Sequence, residues 1–123
     1  MPIVHEILPT DITDDTSAVH DATAQAAVLS VLGDPTRLAV LSHLRGGEHR
    51  VGELAEHLGL AQSTVSQHLA ILRSAGLISS HSHGRANVSR IENPEAIEQV
   101  LAAAESLAAI ISADASNRDK EQP

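Results

Sequence analysis

Gln62-Ser63-Thr64-Val65-Ser66-Gln67-His68-Leu69-Ala70-Ile71-Leu72-Arg73-Ser74-Ala75-Gly76-Leu77-Ile78 is the stretch that decides the fold. Val65, Leu69 and Leu72 recur at three- and four-residue spacing, which gives a helix from about Gln62 to Ala75 one apolar stripe. Gly76 then occupies the C-terminal position where a left-handed residue stops a helix. Immediately upstream, Val51, Leu54, Ala55 and Leu58 mark a shorter helix that ends at Gly59. Downstream, Leu77–Ser80 and Ala86–Ile91 are strand candidates around the turn-rich tip Ser82-His83-Gly84-Arg85. Two helices joined by Gly59-Leu60-Ala61 and followed by a hairpin describe a helix-turn-helix with a wing.

Working outward, Asp34-Pro35 starts a preceding helix. Asp can cap free N–H groups, and Pro tolerates the first helical position. Leu38, Leu41 and Leu44 are its expected inward residues, and Gly46-Gly47 stops it. An Ala-rich helix is expected over about Thr16–Leu32, with Ala22, Ala26 and Leu29 in register. A last helix spans about Pro94–Ile111, with Ile97, Leu101, Ala104 and Ala108 on one face. Residues 1–15 read as a flexible acidic arm and residues 112–123 as a disordered polar tail, leaving 16–111 as the folded domain. The expected fold is mostly α with a small β-hairpin wing: four helices, two strands and a closing helix.

Composition narrows the chemistry. The 123 residues include no Phe, Tyr, Trp or Cys, so Leu, Ile, Val and Ala must build the core. Disulfides, a thiolate metal site and a cysteine nucleophile are excluded. No continuous apolar run approaches the ~20 residues that span a bilayer, and no basic-then-apolar leader opens the chain. A cytoplasmic protein is the expectation. No glycine-rich phosphate loop is present, and neighbours such as Ser42-His43 fall on a helix without a triad, so an enzyme is the least favoured class.

The formal charge of −8 is unevenly spread. Residues 1–34 carry six acids and no Lys or Arg, and residues 92–123 carry seven acids against Arg118 and Lys120. Between them, residues 35–91 hold six Arg against Glu48, Glu53 and Glu56. Residues 61–91 contain no Asp or Glu at all. A polar, acid-free helix beside a basic hairpin suits a surface pressed against phosphates, where a carboxylate would face like charge.

The outward residues Gln62, Ser63, Ser66 and Gln67, with Thr64 and His68 alongside, can donate to phosphate or read base edges. Arg73 and Arg85 supply positive charge nearby. The competing readings are an ordinary solvated helix face and a protein–protein module whose acidic flanks meet a basic partner. His68 also has an alternative role in helix packing.

Two segments carry a family resemblance: Leu32-Gly33-Asp34-Pro35-Thr36-Arg37-Leu38-Ala39-Val40-Leu41, and Gln62 to Leu69 continuing through Ala75-Gly76-Leu77-Ile78. Together they resemble the ArsR–SmtB family of winged-helix repressors over about residues 18–107. The resemblance implies a homodimer through the first and last helices. It also implies double-stranded operator DNA as partner and release by an inducer. It places Gln62, Ser63, Ser66 and Gln67 at DNA, with Arg85 as the wing's basic residue. Ala22, Ala26, Ala103, Ala104 and Ala108 agree with close helix approach at such an interface.

The resemblance also frames what is sensed. Where relatives place two Cys before the third helix, this chain has Arg50 and Gly52. Where others use an Asp and three His on the last helix, it offers Glu92, Pro94, Glu105 and Ala108. Neither site is present. Eight His remain, of which His81 and His83 lie at the wing, while His43 and His57 read as helix-flank residues needing no ligand. No cofactor is assigned with certainty. The candidate inducer is a divalent metal such as Zn, Co or Ni, held by His20, His49 and Glu53 with His5 from the arm.

Overall fold

The computed structural model describes the backbone of residues 2–121 and the side-chain surroundings of residues 17–120. Five helices and three strands follow in the order α1 (Pro2–Leu32), α2 (Pro35–Leu44), β1 (His49–Arg50), α3 (Val51–Leu58), α4 (Gln62–Ser74), β2 (Ile78–His83), β3 (Ala86–Ile91) and α5 (Pro94–Glu121). The expected helix order holds, and the hairpin is a true wing. His83 pairs with Ala86 across a two-residue loop, and Gly84, at φ 63°, supplies the positive dihedral such a loop needs.

Three features go beyond the sequence reading. A two-residue strand, β1, pairs antiparallel with β3, giving a three-stranded sheet of order β1-β3-β2. Two residues carry no alternation that a sequence pattern could register. Second, helix continues through residues 2–15 and 112–121, where an arm and a tail were expected. Apolar periodicity reports what a helix packs against, whereas the helix itself is closed by local hydrogen bonds. Pro9 removes one such bond from the first segment, whereas residues 112–121 contain neither Gly nor Pro, and Arg118 and Lys120 complement the dipole in the last turn of α5. Third, the helix Pro94–Lys120 is long and apolar enough by length and composition to cross a membrane, its most apolar 18-residue stretch having a mean hydropathy of 1.4. Scattered Ala had disguised this, because no single run of large apolar residues marks it.

The core lies between α2, α3, α4 and the root of the wing. Val40, Leu41, Leu44, Leu54, Val65, Leu69, Leu72 and Ile78 are its buried aliphatics, joined by Leu32 from α1. All three inward residues expected of α4 are buried. On α2, Val40 takes the place expected of Leu38, which is exposed. Asp34 caps α2 as expected: its carboxylate accepts from the Arg37 backbone N–H at 3.0 Å, with Pro35 in the first turn. Gly59, in the left-handed conformation at φ 67°, ends α3 and turns the chain toward α4.

Candidate nucleic-acid interface

The buried stripe Val65, Leu69 and Leu72 fixes α4 in rotation, and so decides what its other side offers. Gln62, Ser63, Ser66 and Gln67 are all exposed, and Thr64 is half-buried. Ala61, at the N-cap, makes no side-chain cap hydrogen bond. The first-turn N–H groups of α4 therefore add an anion-favouring edge to the polar face. Further along, Arg73 Nη1 donates to Ser80 Oγ at 3.1 Å, linking α4 to the wing. A polar cleft lined by Ser66, Arg73, Ser80, Asn87 and Ser89 continues the surface from helix to sheet.

The wing is less basic than its sequence suggests. Glu48, just before β1, lies 3.6 Å from His83 Nε2 and 3.8 Å from Arg90 Nη1, and Glu92 approaches Arg90 at 4.0 Å. The acid-free segment thus acquires carboxylate neighbours both at His83, beside the hairpin loop, and at Arg90, near the end of β3. Arg85, exposed in the hairpin loop, is in none of the ion pairs among the described residues.

His68 departs from the set of groove-facing residues. It is half-buried and turned toward the start of α2, with Nδ1 at 3.3 Å from Arg37 Nη1 and 3.7 Å from Asp34. Its position three residues after Val65 and one before Leu69 brings it round to the packed side of α4. The packing alternative is the one the ring adopts. Arg37 also donates through Nε to the Val31 carbonyl, so one guanidinium touches the last turn of α1 and a side chain of α4. The Arg37 N–H that Asp34 accepts holds the Asp34 carboxyl below its usual range, with the Arg37 and His68 charges adding to the effect against a smaller burial penalty.

Of the residues expected to hold a metal, three lie among those whose side chains are described. His5 lies outside the residues whose side chains are described. His20 is exposed on α1. His49 and Glu53 are neighbours at the start of α3, where Glu53 Oε1 accepts from the Arg50 backbone N–H at 2.9 Å. That hydrogen bond lowers the Glu53 pKa, assisted by the nearby charges of His49, Arg50 and His57. Among the described residues, no three His, Asp or Glu groups already form a metal-holding set.

The remaining surface of note is apolar. Val19 and Leu29 on α1, and Val100, Leu107, Ile110 and Ile111 on α5, are exposed. Val28 and Val100 border a shallow depression between the two helices with Gln25 and Leu29. Exposed aliphatic side chains gathered on two helices in this number suit a contact surface.

Three buried-face helices, a short connector and a β-hairpin beside an exposed polar helix define a winged helix-turn-helix protein, the architecture of transcription regulators. A family profile described as "Bacterial regulatory protein, arsR family" matches residues 34–80. The chain is 40% identical over 58 residues to the transcriptional repressor SdpR of Bacillus subtilis, an alignment covering 47% of this chain and 64% of SdpR. It spans about half the length of other curated relatives. The structure of NolR from Sinorhizobium fredii superposes with a TM-score of 0.68 at 31% identity, covering 74% of this chain and 90% of NolR. The homodimeric winged helix-turn-helix DNA-binding domain of Mb0332 from Mycobacterium bovis gives 0.65 at 29% identity, over 77% of this chain and 85% of that domain. The chain belongs to the ArsR family of bacterial regulatory proteins.

Proposed function

We propose that this protein is a cytoplasmic, DNA-binding transcriptional repressor that binds a two-fold operator as a homodimer and is released by an inducer. The observation that carries this reading is the exposed, carboxylate-free face of α4, continued by Arg73 and the wing-tip Arg85. Gln62, Ser63, Ser66 and Gln67 reach base edges and phosphates in the major groove, Thr64 supports the first turn, and Arg73 and Arg85 contact the backbone. Residues 16–111 form the DNA-binding and dimerisation domain.

The apolar face shared by α1 and α5 supports the dimer, because a second copy of the same face removes it from water. The homodimeric state named for the Mb0332 domain agrees. Pairing also doubles a modest local positive charge, which a single protomer would bring to DNA alone.

The test is binding to the promoter fragment upstream of the protein's own coding region, across a salt series. Gln67→Ala is expected to cost about 1–3 kcal/mol and to relax base preference, whereas Arg85→Ala weakens all sequences alike and lowers the salt slope by about 1. If Gln67→Ala and Ser66→Ala leave affinity and preference intact, α4 is not the reading helix. A protein that shifts no fragment selectively at low salt acts instead as a protein-interaction module.

A further inference from the structure

Three histidines that the sequence scatters are neighbours in space. The His57 ring, on α3, lies 5.5 Å from the His43 ring of α2 and 6.0 Å from the His49 ring of β1, centroid to centroid. Two imidazoles bound to one tetrahedral ion through nitrogen bonds of about 2.0 Å stand roughly 5–6 Å apart by centroid. Both observed separations match.

The hydrogen bonds point the same way. His43 Nδ1 bonds the Ala39 carbonyl at 3.1 Å, and His49 Nδ1 bonds the Gly47 carbonyl at 3.0 Å. A carbonyl oxygen only accepts, so each Nδ1 is the donor, and in the neutral ring this leaves the Nε2 lone pair for a metal. Fixing one imidazole nitrogen on a backbone carbonyl while the other faces the ion is the usual support for a metal-bound histidine. Glu53 stands one helical turn before His57, and the charges of His49 and His57 both act on its carboxylate.

We infer that His43, His49 and His57, with Glu53 as fourth donor, form a site for a borderline divalent transition-metal ion such as Zn(II). The donors do not converge in this conformation. His57 is exposed, so a change of its rotamer closes the set without unpacking the core. An all-imidazole and carboxylate set favours Zn, Co or Ni over thiophilic ions. Bound metal would tie α2 to α3, the helix that supports α4. The site differs from the set read from sequence: it uses His43 and His57 and needs neither His5 nor His20.

This inference is independent of the proposed DNA function, because its readout is metal binding in the absence of DNA. Purified full-length protein is titrated with Zn(II) against a chromophoric chelator, and with Co(II) while its ligand-field absorption is followed. The wild-type chain is expected to take one equivalent per protomer with a tetrahedral cobalt spectrum. His43→Ala and His57→Ala are expected to weaken Zn(II) by about 100-fold each, and His20→Ala to leave it unchanged. His57→Gln and far-UV circular dichroism separate loss of a ligand from loss of fold. Absence of binding in the wild type overturns the proposal. So does binding that survives His43→Ala combined with His57→Ala, or binding lost through His20→Ala alone.

Discussion

α4 and α5 each carry an apolar face, but only α4 finds cover for it within the protomer. Val65 and Leu72 are fully buried, and the exposed side of α4 is polar apart from Ile71, which is 42% exposed. α5 buries Ile97 near its start, then leaves Leu107, Ile110 and Ile111 at 54–57% exposure. One helix is completed by the fold; the other extends beyond what the protomer can cover. Stability of the single chain therefore rests on the α2–α4 core, and the α5 face contributes once something else covers it.

The sharpest way to break that contrast is to charge the open face. Leu107→Glu combined with Ile110→Glu is expected to leave a folded monomer by sedimentation, with operator affinity reduced by about 10²–10⁴-fold through loss of the paired half-site. A double variant that still sediments as a dimer shows that the subunit contact lies elsewhere. Removing packing from the closed face acts differently. Leu72→Ala is expected to cost about 2–5 kcal/mol in denaturant unfolding, because it opens a cavity in a filled core. Leu107→Ala, by comparison, is expected to lower the unfolding midpoint only in proportion to how far dimerisation supports it, so its effect varies with protein concentration. Equal, concentration-independent losses in both variants would erase the distinction.

The smallest expected effect concerns the Asp34 cap, which borders the packed side of α4. The folded-state pKa of Asp34 lies below its ordinary value of 3.8. Its contribution is thus fully present above that ordinary value and disappears as pH falls through the lowered folded-state value. Asp34→Asn keeps a capping oxygen but cannot titrate. Its melting temperature should fall less steeply in acid than that of the wild type, with Glu53 titrating equally in both. Superimposable acid limbs would show that the cap charge is not linked to folding.

How much of this was legible in the chain follows the same division. The helix-turn-helix and the α2 cap could be read because their periodicity and capping residues are satisfied locally, by neighbours close in sequence. The long reach of α5 could not, since the residues beyond Ile111 are almost all exposed and leave no inward stripe in the protomer. β1 was too short to show alternation. His68 stayed open between groove and packing because a residue beside a buried stripe can lean either way, and its direction is tied to Arg37, thirty-one positions earlier. Glu48 reaches the wing only through the β1–β3 pairing, so no count of charges along the chain could place it there. His43 and His57 looked unrelated for the same reason, since the packing of α3 against α2 brings their rings together.

A core made only of aliphatic side chains also has a spectroscopic consequence. With no Phe, Tyr or Trp in 123 residues, the carbon-bound ring protons seen by magnetic resonance in heavy water all belong to eight imidazoles. Each can be followed through an acid or zinc titration without isotopic enrichment or overlap from other rings. The same composition makes the polypeptide nearly transparent at 280 nm, so light absorbed there by a complex with a duplex comes from the bases.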